Sequence, residues 1–188
     1  MPRDFAAKLE FGQLAESDIG RWTMARGSCV LPVYEIEIPH GKGPRFWTPR
    51  GTYVAPDMFV MPSMIWIEAK HKSVFSWHRI TRRWVTGIDL HHYQDYLRTQ
   101  EESGRPVWLL FLHGSPHPHS RDIGAGCPPE CPTGLFGASL KMLAANENHR
   151  HENWGRHGMV YWAVPPLKKL AEFDEVRKST PRGLDPAA

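Results

Sequence analysis

Between Tyr53 and Lys70 the chain reads YVAPDMFVMPSMIWIEAK, two apolar runs with an aspartate, a glutamate and a lysine set into them. Runs of this length, rich in Val, Ile, Phe and Trp, fold as strands. A charged side chain is rarely placed in such a run unless it is paired or holds a metal. Any fold adopted here must therefore accommodate Asp57, Glu68 and Lys70 in or beside its core. Pro56 cannot donate to a strand ladder, so it predicts a bulge or an irregular edge just before Asp57.

The rest of the pattern places this stretch in an α/β fold. A first helix is expected over about Gln13 to Arg26, stopped by Gly27. CVLPVYEIEI, Cys29 to Ile38, reads as a strand, and His40 to Gly51 as a Gly- and Pro-rich loop. Thr52 to Met61 and Met64 to His71 read as the second and third strands. Ile88 to Glu102 carries Leu90, Tyr93 and Leu97 at helical spacing, with Gly104 as a stop. VWLLFLH, Val107 to His113, is an apolar run of strand length, as expected of a strand buried on both faces. Gly114 to His157 reads as an irregular insertion with a short helix near Gly137 to Ala145. Met159 to Val164 reads as a strand, and Leu167 to Val176 as a closing helix. The sum is one domain over residues 1–178, a mixed sheet flanked by helices, with a frayed tail over 179–188.

Composition narrows the class. The 188 residues are 41% hydrophobic and 23% charged, in the range of globular chains. There is no run of about 18 apolar residues and no signal-peptide pattern at the start. Three cysteines in no framework spacing favour a reducing cytoplasm. The net charge of +3 is only mildly basic. An argument for nucleic acid must come from local clusters instead.

Side chains alternate along a strand, so Glu68 and Lys70 share one face. Pairing of the second and third strands would bring Asp57 to Glu68. Two carboxylates this close repel each other unless a cation lies between them. Mg²⁺ (or Mn²⁺) suits oxygen ligands and keeps several waters, one of which can attack a phosphodiester. Lys70 would neutralise the scissile phosphate or orient the attacking water.

In residues and order of elements, the chain resembles the PD-(D/E)xK nuclease superfamily and its restriction-endonuclease-like fold. The resemblance spans roughly Ala15 to His113. It rests on a helix, then three strands with Pro56-Asp57 on the second and Glu68-Ala69-Lys70 on the third, then a helix and a further strand. It implies that Asp57 and Glu68 ligate metal, that the Ala69 carbonyl is a third ligand, and that Lys70 is the catalytic lysine. Many members add a glutamate from the first helix, for which Glu16 is the candidate and Glu10 the alternative in another register. Some place a Gln or Tyr on the helix after the lysine strand. Gln94 is the candidate there, and Tyr93 fits core packing as well.

The implied activity is metal-dependent hydrolysis of DNA, endonuclease in preference to exonuclease. Members of this size occur in bacteria and their viruses, in recombination, repair or genome processing. Many pair subunits to cut both strands, which would make a homo-oligomer. The rival expectation is a nucleic-acid-binding or assembly protein that keeps the fold without catalysis.

Two further clusters bear on partners. His71, Lys72, Trp77, His78, Arg79, Arg82, Arg83 and Trp84 follow the lysine strand, and Arg45, Phe46, Trp47 and Arg50 precede Asp57. Cations of this kind contact phosphates and the rings can stack on bases. Arg45, Arg50, Lys72, Arg79, Arg82 and Arg83 are thus the expected DNA contacts. Cys127 and Cys131 have the spacing of half a zinc site. His113, His117, His119, His149, His151 and His157 are the available partners, so a structural Zn²⁺ pinning the insertion is a further expectation. A zinc-based interaction domain is the third functional class.

Overall fold

A computed structural model describes residues 16–35, 43–153 and 157–179. Glu10 and the greater part of the expected tail, 180–188, lie outside the described residues. Helix α1 spans residues 16–25 and ends at Gly27, whose φ of 87° provides the left-handed turn. Strand β1 (Cys29–Pro32) gives way to a 3-10 turn at Val33–Glu35, well short of the strand expected to Ile38, whose last residues lie outside the described ones.

The expected second strand is two strands. β3 (Gly51–Val54) forms a hairpin with β2 (Arg45–Thr48), inside what the Gly and Pro content suggests is a loop. β4 (Met58–Met61) then enters the main sheet. The break falls at Ala55–Asp57, where Pro56 interrupts the ladder and the chain changes sheets. β5 (Ile65–Lys72) pairs antiparallel with β4, in the register Met58↔Ile67 and Phe59↔Trp66.

The basic segment after β5 is also a hairpin, β6 (Ser76–His78) with β7 (Arg83–Asp89). Helix α2 (Leu90–Ser103) follows and ends at Gly104 in the left-handed conformation, φ 62°. It packs against β3, β7 and the next strand, β8 (Val107–His113). β8 pairs parallel with β5 from Trp66↔Val107 to Lys72↔His113, so the long crossover carrying α2 joins parallel neighbours.

The described residues of 114–157, expected to be largely irregular, contribute strands and helices. After α3 (Ser120–Ile123), strand β9 (Gly134–Ser139) pairs antiparallel with β8 inside the main sheet. Gly137 permits this contact, because a Cβ there would collide with the Leu110 and Leu170 side chains. Helix α4 (Leu140–Ala145) is capped by the Ser139 hydroxyl, which accepts from the Met142 N–H at 3.3 Å. β10 (Glu147–His151) and β11 (Met159–Ala163) follow. The expected closing helix is instead β12 (Lys168–Ala171), a strand paired with β9, followed by a shorter helix α5 (Phe173–Arg177).

The result is a mixed α/β architecture. Among the described residues the main sheet has six strands in the order β1-β4-β5-β8-β9-β12. Two smaller antiparallel sheets run β10-β11-β7-β6 and β2-β3. β8 explains the layering. Val107, Leu109 and Phe111 join a core with Tyr93, Tyr96, Phe136 and Trp162, while Leu110 and Leu112 join a second core with Ile19, Met58, Ile67 and Ala69. Each such side chain contributes about 1.5–3 kcal/mol when fully buried. No helix among the described residues is long and apolar enough to cross a membrane.

Candidate active site

The site is built on the β4–β5 pair. The register that aligns Met58 with Ile67 carries Asp57 to the neighbourhood of Glu68. Asp57 is fixed from both sides. Its Oδ2 accepts the Ala69 N–H at 2.7 Å, and its backbone carbonyl accepts the Tyr34 N–H at 2.9 Å. A strand residue directs its N–H and C=O to the same edge. The Ala69 carbonyl therefore opens on the side where Asp57 lies.

Pleat alternation sends Ile67 and Ala69 into the second core and turns Glu68, Lys70 and Lys72 to the opposite face. Glu68 is 1% exposed and forms an ion pair through Oε1 with the Lys70 ammonium. Its other oxygen, Oε2, is buried with no hydrogen-bond partner among the described residues. An unsatisfied buried carboxylate oxygen is costly, so this atom is suited to receive a cation or donor.

Glu16 projects from the first turn of α1 into the same electrostatic neighbourhood. Burial raises its carboxyl pKa most, Lys70 pulls it back, and Glu68 pushes it up again. Asp57 is held well above the usual carboxylate range, first by burial and then by Glu68, against the pull of Lys70, with Glu16 adding repulsion. For Lys70, burial works against the charge. The Glu68 and Asp57 carboxylates outweigh it, and the ammonium is held above its ordinary range. Three carboxylates thus crowd one lysine.

The structure brings Asp57, Glu68, Ala69, Lys70 and Glu16 together, and it separates Gln94 from them. Gln94 is exposed on α2. The helix face turned to the site carries Tyr96 instead, 1% exposed, its hydroxyl pKa pushed well up by burial and then by the Glu68 and Asp57 carboxylates. The expected face of Leu90, Tyr93 and Leu97 packs on the first core, and Tyr96 is buried beside it because α2 is covered by both the main sheet and the second sheet. Tyr93 donates to Glu147 Oε1 at 2.8 Å, away from the carboxylate cluster. His92, one turn before Tyr96, has its pKa lowered by burial, then by Lys70 and His91. Sequence reasoning missed Tyr96, His92 and Tyr34. The i,i+4 spacing of His92 and Tyr96 is the signal that could have found the first two.

The expected nucleic-acid contacts divide. Arg79 and Arg82 lie exposed in the β6–β7 turn, and Arg83 is exposed at the start of β7. Arg45 is exposed on β2 near Trp47, which is 80% exposed. Arg50 is drawn to Glu101 at 3.3 Å and Glu102 at 3.4 Å, which reduces its charge available to a phosphate. Lys72 lies beyond Lys70 on the same face. Burial and then Lys70 lower its pKa to about 8, against the pull of Asp89.

The zinc expectation finds less support. Cys131 Sγ donates to the Ser115 carbonyl at 3.1 Å. His113 is buried and stacks on Phe75, ring centroids 3.6 Å apart, while His117 and His119 are exposed. Among the described residues no group of three or more His, Cys, Asp or Glu side chains is placed to hold a metal ion. The Asp57–Glu68 pair is a smaller set. With one carbonyl it matches the few protein ligands that Mg²⁺ takes, and the orphaned Glu68 Oε2 supplies a free donor atom. Comparisons with protein-family models, curated proteins and solved structures find no match for this chain.

Proposed function

We propose that this protein is a divalent-metal-dependent nuclease of the PD-(D/E)xK type, acting on DNA. The observation that carries the reading is the convergence of half-buried Asp57 and buried Glu68 on half-buried Lys70, with Asp57 held by the Ala69 amide. Asp57, Glu68 and the Ala69 carbonyl would hold Mg²⁺ or Mn²⁺, with Glu16 close behind. A divalent ion there would supply Lewis-acid polarisation and offset charge building on the phosphate.

The protein's own groups have distinct tasks. The raised pKa of Lys70 keeps it a cation at neutral pH. It therefore serves as a charge and hydrogen-bond donor to the scissile phosphate and not as a base. Tyr96, its hydroxyl pushed well up chiefly by burial, stays protonated beside Glu68. Arg79, Arg82 and Arg83 on the β6–β7 hairpin and Arg45 on the β2–β3 hairpin would bind backbone phosphates on the flanks.

The test is cleavage of plasmid and oligonucleotide DNA with Mg²⁺ or Mn²⁺. Wild type should cut, while Asp57→Ala and Lys70→Ala should lose at least about a hundredfold in rate, the loss of transition-state charge stabilisation at one position. Equal cutting by all three proteins would refute the assignment.

A further inference from the structure

A second site lies on the four-stranded sheet. The β6–β7 hairpin, β10, β11 and α3 enclose a cleft of about 350 Å³. Its wall includes a column of stacked rings. His78 lies 3.9 Å from His149 at an interplanar angle of 10°, and His149 lies 4.5 Å from Tyr161 at 5°. Arg79 and Arg121 supply positive charge, both on exposed side chains. Asp122 also lines the cleft and is 5% exposed. Its Oδ2 has no hydrogen-bond partner among the described residues, while Oδ1 lies 3.6 Å from the Arg121 Nε.

Each feature points to the same kind of ligand. Flat rings in parallel register offer a stacking platform, worth about 1–3 kcal/mol per base. The imidazoles are largely uncharged at neutral pH. The His149 pKa is lowered to about 4 by burial and then by His78 and His151, and that of His78 is lowered by burial and His151. Anion binding thus falls to the two arginines. The buried Asp122 oxygen calls for an N–H donor from a ligand. The volume suits one small planar molecule.

We propose that this cleft takes one unpaired nucleobase of the nucleic acid being cut, stacked on the His78–His149–Tyr161 column and donating an N–H to Asp122, with its phosphate on Arg79 and Arg121. Guanine fits best, because its N1–H and N2–H lie side by side. The inference rests on the nuclease reading and specifies the substrate: DNA with an unpaired nucleotide near the cut. The position is compatible with this. Ser76 at the cleft wall is six positions along the chain from Lys70, which limits their separation to about 20 Å.

The experiment titrates the intact protein with dGMP, and separately with 2-deoxyribose 5-phosphate, in chelator so that no metal site contributes. Trp77, in the cleft wall, reports by fluorescence. Saturable quenching by dGMP and none by the sugar phosphate is expected. Asp122→Asn should weaken dGMP about tenfold, through loss of a charge-assisted hydrogen bond. Arg79→Ala, an exposed turn variant that does not threaten folding, should weaken it several-fold. Equal binding of the sugar phosphate, or unchanged affinity in both variants, overturns the proposal. Plasmid cleavage is scored in parallel. Cleavage without nucleotide binding refutes this inference alone, and nucleotide binding without cleavage refutes the nuclease reading alone.

Discussion

Lys70→Ala should lower the stability of the metal-free protein, and divalent cations should restore it. Glu68 is 1% exposed and its Oε1 pairs with Lys70, whose side chain is 27% exposed. Removing one partner of a buried pair costs about 3–5 kcal/mol, because the other charge is left uncompensated. Lys70 keeps some contact with water, so about 2–3 kcal/mol is the appropriate figure here. For a chain of this size, 1 kcal/mol moves Tm by about 2–4 °C, giving a fall of about 4–12 °C. Mn²⁺ or Mg²⁺ at a hundred times its Kd returns about 2.7 kcal/mol. The shift should be larger in Lys70→Ala than in wild type, where the ammonium already neutralises Glu68. The double variant Glu68→Gln/Lys70→Met removes both charges and should melt near wild type with no metal response. The assay is thermal unfolding with and without metal, with circular dichroism to confirm the native fold. The reasoning is refuted if Lys70→Ala melts with wild type, or if the double variant responds to metal as strongly as Lys70→Ala.

Two further outcomes follow from the charges around the site. Lys72, with its pKa lowered to about 8, is a cation below that pH and neutral above it, so DNA affinity at constant ionic strength should fall as pH rises from 7 to 9. Lys72→Arg should flatten the dependence in fluorescence anisotropy, and an unchanged slope would remove Lys72 from the interface. Arg82→Ala/Arg83→Ala should weaken DNA binding and reduce the slope of log K against log salt by about 1.8, the value for two duplex phosphate contacts; an unchanged slope would place both arginines outside the interface.

The positions of Asp57, Glu68 and Lys70 were legible because burying charge in apolar strands is costly enough to leave a mark in sequence. β8 was legible for the related reason that a strand covered on both faces needs a continuous apolar run. Other elements depend on partners distant in the chain. β9, with Gly134 and Gly137, has poor strand propensity and exists because β8 and β12 close around it. β12 contains KKLA, a helical composition, and is held as a strand by β9. The β2–β3 hairpin carries glycine, proline and arginine where a buried strand would carry aliphatics, because much of its surface faces solvent, while β7 is hidden behind the basic turn that precedes it. Tyr96 was hidden for a different reason. The helix rule seeks one apolar face, but α2 is covered on more than one side, and the residue that matters is the one turned toward Glu68.

The charge arrangement links folding to the proposed chemistry. Asp57 has its folded pKa raised, so the folded state holds its proton more tightly than the unfolded chain does. That contribution to stability is present at low pH and is lost as pH rises through the folded value. A divalent cation bound as proposed would reverse the balance, since it would bind the ionised carboxylate and gain affinity as the proton leaves. Lys70 offsets only part of the repulsion among Asp57, Glu68 and Glu16, because one positive charge faces three acids. In the proposed site a divalent cation would offset the repulsion that Lys70 leaves. The residues that make β5 costly to fold are therefore the ones the proposed chemistry would use, and substitutions that relieve the crowding should stabilise the fold at the expense of the proposed metal binding.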